Sequence, residues 1–154
     1  MQTERRSLIK KMLASATALV GLGFAAKATG ITGKEKRVGS VTNFQDVPLF
    51  SSHTIHGDLV YIAGIGAHVE PFEIKAHTEI VLKGMEAELI KAGSSMEKVL
   101  KVSVFLNDIA DWQAMNEVYK GRFGKNPPVR TTVAVAKGGV PGNSLVEMDC
   151  IAYL

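Results

Sequence analysis

Only two stretches of this chain are long and periodic enough to be helices, and that limits it to a sheet covered on one side. In residues 73–92 Val81, Met85 and Leu89 recur every four positions with Ile74 and Leu82 beside them, while Glu79, Lys83, Glu86 and Lys91 fall elsewhere. That spacing makes one apolar stripe on an amphipathic helix, which Gly93 ends. The second helix follows Asn107-Asp108, where Asp108 is placed to cap it and Asp111 lies in its first turn. Ile109, Trp112, Met115, Val118, Tyr119 and Phe123 are its expected buried stripe, and Gly124 and Pro127-Pro128 stop it. The other apolar runs have the length of strands: 51–55 and 59–65 around a His56-Gly57-Asp58 turn, then 99–106, 129–136 and 145–153. With a Gly-interrupted linker and a short first strand in 29–47, the order is β-β-β-α-β-α-β-β. This is an α+β fold, a mixed sheet with two helices on one face, and the domain proper runs over 48–154.

The chain of 154 residues is 46% hydrophobic, enough for one apolar core, and its single cysteine, Cys150, cannot close an internal disulfide. The net charge of +3 is unevenly placed. Arg5, Arg6, Lys10, Lys11 and Lys27 against Glu4 precede residue 29, which leaves 13 basic and 14 acidic side chains for the rest. A basic surface for phosphate backbones therefore has no support in composition. The N-terminal basic residues belong instead to an address. Arg5-Arg6 is followed by an uncharged apolar run at 12–26 and by Ala26-Lys27-Ala28. At 15 residues the run is shorter than the roughly 20 a membrane span needs, so residues 1–28 read as an export signal of twin-arginine type and the expected location is the periplasm. An uncleaved tether and an ordinary amphipathic helix are the alternatives.

The pleat of the last strand sends Val146, Met148, Cys150 and Ala152 to one face and Glu147 and Asp149 to the other. The apolar set should meet the helices. In the preceding strand Val133 and Val135 point one way and Arg130, Thr132 and Ala134 the other, so Arg130 and Glu147 are expected to share the helix-free face. That face also carries Leu145, Ile151 and Tyr153, which calls for cover by a second copy in a closed homo-oligomer. Arg130, Glu147 and Asn116 are the candidate site. A guanidinium offers a planar fork to a carboxylate, a carboxylate can position and deprotonate a water, and Asn116 borders the buried stripe. On spacing alone a cross-strand ion pair and a solvated helix residue are the commoner account of the same three side chains.

The segments GDLVYIAGIG, EKVLKVSVFLNDIADWQAMNEVYKGRFGKNPPVRTTVAVA and SLVEMDCIAY resemble the reactive intermediate deaminase (Rid, or YjgF) family, also called endoribonuclease L-PSP. The specific parts are Asn116-Glu-Val-Tyr, Pro-Pro-x-Arg-Thr-Thr at Arg130, and Leu-Val-Glu ending at Glu147. The resemblance implies a chorismate-mutase-like subunit, a homotrimer with clefts between subunits, and no metal or organic cofactor. It implies that Arg130 binds the carboxylate of an imino or enamino acid, that Glu147 positions the hydrolytic water, and that Asn116 and the Ala63-Gly64 backbone line the pocket. Phe50 stands where many members have a pocket tyrosine, and Thr132 where some have cysteine. The implied activity is that of a 2-iminobutanoate/2-iminopropanoate deaminase, hydrolysing 2-enamino and 2-imino acids such as 2-aminoacrylate to 2-keto acids and ammonia. The family's default location is the cytoplasm.

Other features carry less. His53 and His56 lie three apart in a strand, so their rings leave on opposite faces, and no metal-type spacing accompanies them or His68 and His77. Gly64-Ile65-Gly66 lacks the third glycine and following helix of a nucleotide loop. Cys150 lies on the core face and reads as packing. Three classes of function stay open: an imine deaminase without nucleic-acid or membrane partner, a non-catalytic small-molecule or protein-binding module of the same fold, and an RNA-cleaving protein.

Overall fold

The computed structural model describes residues 35–154, so the expected export signal at 1–28 and the start of the linker lie outside the described residues. Among those described, a six-stranded sheet runs in the order β1-β4-β5-β8-β6-β7. Its strands are β1 (Arg37–Val38), β4 (His53–His56), β5 (Leu59–Gly66), β6 (Val99–Leu106), β7 (Val129–Ala134) and β8 (Val146–Tyr153). A separate hairpin joins β2 (Val41–Phe44) to β3 (Val47–Ser51). β6 and β7 are parallel and the other pairs antiparallel, so the sheet is mixed, as expected.

Helix α1 (Ile74–Ala92) buries Val81, Leu82, Met85 and Leu89 and is closed by Gly93 at φ 86, a conformation that costs glycine nothing. Asp108 accepts from the backbone N–H of Ala110 at 2.9 Å and starts a 3-10 turn at Ile109–Asp111, from which α2 (Trp112–Tyr119) continues. That tighter turn has three residues per revolution, so the stripe drifts: Met115, Tyr119 and Phe123 are buried, whereas Ile109 and Trp112 are exposed. Both helices pack on the sheet face that carries Val60, Val102, Val104, Leu106, Val146, Met148, Cys150 and Ala152. Each fully buried Leu or Met there contributes about 1.5–3 kcal/mol of transfer free energy.

Among the described residues five strands, not three, precede α1. The expected single strand in 29–47 is in fact β1, β2 and the start of β3. The turn between β2 and β3 holds Gln45 at φ 50 and Asp46 at φ 62, left-handed positions where a glycine would be the usual signal. Val41, Phe44, Val47, Leu49 and Phe50 on this hairpin are all exposed.

Candidate functional site

Register decides which candidates meet. Arg130 on β7 aligns with Val102 on β6 and, through it, with Cys150 on β8, both buried beneath the helices. Glu147 aligns with Phe105 and, through it, with Val133. Arg130 and Thr132 therefore leave the sheet toward the helices, and Glu147 leaves it on the opposite side. The expectation that Arg130 and Glu147 share the helix-free face is corrected. The pleat sorts each strand into two faces, but only the parallel β6 between β7 and β8 sets which face of one continues which face of the other. Three residues of strand and two interstrand spacings also part them, about 10 Å in each direction. The same register removes the cross-strand ion pair.

The Arg130 group is built on the helix side. Nη1 of Arg130 donates to Oδ1 of Asn116 at 2.8 Å, and its Cζ lies 4.6 Å from the centre of the Tyr119 ring. Asn116 and Tyr119 are three apart on α2, neighbours on one helix face. With Gln113, Glu117 and Lys120 these residues line an open cleft of about 470 Å³. Tyr119 was expected only as part of the core stripe. Its ring is indeed buried, but it borders this cleft, and the signal for that was the Asn-x-x-Tyr spacing itself. Burial pushes the Tyr119 hydroxyl up to about 12, against the pull of the Arg130 charge, so it stays neutral. Neither this hydroxyl nor that of Thr132 has a hydrogen-bond partner among the described residues.

The Glu147 group is built on the open side. Phe105, Val135, Gly139, Val140 and Pro141 surround the carboxylate in a cavity of about 160 Å³. Between Ile62 and Ile65 the β5–β8 register shifts, and the Ala63-Gly64 bulge lies against Glu147. A Cβ on Gly64 would overlap Oε1 of Glu147, so this close approach requires glycine. The start of β8 is pinned from two sides. The Leu145 N–H donates to Nδ1 of buried His77 at 3.1 Å, which leaves Nε2 to donate to the Val69 carbonyl at 3.0 Å. Ser144 accepts from the Ala67 N–H at 2.8 Å and donates to the Val146 carbonyl at 2.6 Å. Phe50, on the exposed hairpin, lines neither cavity.

Of the remaining candidates, Cys150 is buried and its thiol is pushed up to about 12 by burial, with a further push from Asp149, which fits packing. His53 lies beneath α1, with Nδ1 2.8 Å from Glu88. His68 reaches the Gly142 carbonyl at 3.1 Å.

The model of the family described as Endoribonuclease L-PSP matches residues 43–154. Over 103 residues the chain is 36% identical to a RutC family protein of Pyrococcus abyssi, covering 63% of this chain and 80% of that one. It is 34% identical over 104 residues to Reactive Intermediate Deaminase A, chloroplastic, of Arabidopsis thaliana, covering 63% of this chain and 54% of that one. Among solved structures, a member of the YjgF/YER057c/UK114 family from Mycobacterium tuberculosis superposes with a TM-score of 0.68 at 28% identity, covering 78% of this chain and all of that one. RidA from Psychrobacter gives 0.65 at 27% identity, covering 76% and 94%. With the family model spanning most of its length and the same α+β architecture, the chain belongs to the Rid (YjgF, or endoribonuclease L-PSP) family.

Proposed function

We propose that this protein hydrolyses 2-imino acids, formed by tautomerisation of 2-enamino acids, to 2-keto acids and ammonia, in clefts between copies of the chain. The observation that carries the proposal is the division of the site. A prepared cation, Arg130 with Asn116, stands on one side of the sheet, and an acid in a small apolar cavity, Glu147 with Ala63-Gly64, stands on the other. Each is half of what the reaction needs, and only a second copy can bring the halves together. The exposed apolar side chains Phe44, Leu49 and Phe50 of the hairpin, with Val129 and Val133 of β7, are suited to such an interface. A homotrimer is the assembly implied by the family resemblance, and Phe50 would then reach a neighbour's cleft.

In such a cleft the Arg130 fork neutralises the substrate carboxylate. Glu147 orients a water and takes its proton as the oxygen adds to the imine carbon, giving a carbinolamine. That proton goes to nitrogen, the hydroxyl proton follows it through Glu147 as the C–N bond breaks, and ammonia leaves the keto C=O behind. Such imines already hydrolyse in water, so positioning and charge neutralisation are sufficient catalysis.

An amino-acid oxidase that supplies imino acids, with semicarbazide trapping those that survive, tests the activity directly. Wild-type protein should lower trapping, and Arg130→Ala and Glu147→Gln should not. Coexpressing the two inactive variants tests the division. With random mixing into trimers, roughly a quarter of wild-type sites are restored if the residues come from different chains, and none if one chain supplies both. An active Arg130→Ala variant would overturn the proposal in favour of a binding module, and RNA cleavage by nuclease-free protein would favour the third class. Export by residues 1–28 is part of the same proposal and is tested by fractionating cells that carry this segment fused to a folded reporter.

A further inference from the structure

Arginine is a long side chain, and holding its guanidinium in one orientation costs rotamer freedom unless something else has already done so. Here two features of α2 do so. Asn116 takes one N–H of Nη1, and the Tyr119 ring lies under Cζ at 4.6 Å, close enough for the ring's negative face to attract the cation. The ring is itself held: Tyr119 is 8% exposed and packs against Phe123 with centroids 5.0 Å apart. Its hydroxyl is buried without a partner among the described residues, so hydrogen bonding within them does not explain a tyrosine there.

We propose that Tyr119 is a positioning residue for anion binding: its ring floors the Arg130 guanidinium while Asn116 holds one edge, so that the remaining donors face a planar carboxylate already aligned. This rests on the reading of Arg130 as the carboxylate-binding residue. The ring acts through the Arg130 guanidinium, so its loss should weaken capture and leave the chemical step alone. Tyr119→Leu is expected to raise KM for the imino acid about tenfold with kcat within twofold of wild type, and to weaken binding of 2-oxobutanoate, measured by calorimetry, by the same factor. Tyr119→Phe keeps the ring and should match wild type on both. A merely structural role would lower active protein and kcat without moving KM.

A spectroscopic measurement on the unaltered protein needs no variant to fold. A stacked guanidinium places the Arg130 Hε and Hδ protons in the ring current, shifting them upfield of free arginine, and Tyr119→Phe should keep that shift. An unshifted Arg130, or a Tyr119→Leu protein with wild-type KM alongside an inactive Arg130→Ala, would overturn the role of Tyr119 alone. A fully active Arg130→Ala would instead overturn the carboxylate-binding reading beneath it.

Discussion

His53–Glu88 and Arg130–Asn116 are both 2.8 Å polar contacts on the helix side of the sheet, one near each edge, and they differ in what is left over. The Glu88 carboxylate is consumed: His53 holds Oε1 and Lys91 donates to Oε2 at 3.0 Å. Burial alone would raise its pKa, but these hydrogen bonds and the Lys91 charge outweigh it and hold the group down to about 2. At Arg130 one donor is used, one face is stacked, and the rest of the fork opens into a cleft. A polar cluster that satisfies itself serves the fold, and one that keeps donors in reserve is equipped for a guest.

That contrast can be broken in order of effect. Removing the open cation or the acid should cost function and not stability: Arg130→Ala and Glu147→Gln are expected to lower imine hydrolysis by about 10²–10⁴-fold with an unchanged melting temperature. The closed cluster should behave the other way. Glu88→Ala leaves a buried imidazole without its partner and is expected to cost about 3 kcal/mol in denaturant unfolding, with activity per folded molecule retained.

Acid sharpens the same point. Because the folded pKa of Glu88 lies below its ordinary value of 4.5, its contribution is complete above about pH 4.5 and is lost as pH falls toward 2. The loss amounts to at most about 3 kcal/mol, and Glu88→Gln should flatten stability over that window. Gly64→Ala adds one carbon where the Glu147 carboxylate now sits and should lower kcat by about 10- to 100-fold in a folded protein. The smallest effect is expected for Tyr119→Phe. Deleting a buried hydroxyl that has no partner among the described residues should change stability by less than about 1 kcal/mol, toward greater stability if at all.

The helices and inner strands were legible because each is announced locally. The four-residue recurrence of Val81, Met85 and Leu89 ends at Gly93 as expected, and Val99–Leu106 is a strand with the bounds read from its apolar run. The β2–β3 hairpin was not legible, since Gln45 and Asp46 adopt left-handed backbone without glycine to mark it. For the candidate site the sequence offered members but not geometry. Arg130, Asn116 and Glu147 stand out by residue type and motif. Which face each occupies depends on a parallel strand inserted between β7 and β8, a long-range pairing that alternation within one strand does not encode. For Tyr119 the spacing from Asn116 was the one signal, because an aromatic in a buried stripe otherwise looks the same whether or not a guanidinium lies on it.

On the proposed division of the site, the opposed exits of the cation and the acid from the sheet would also tie chemistry to concentration. No rotamer change within one chain can unite the two, so dilution that separates the copies should extinguish turnover while every chain keeps its core. In the proposed trimer a faulty chain would in turn spoil sites on both of its neighbours, through the arginine it presents to one and the glutamate it presents to the other.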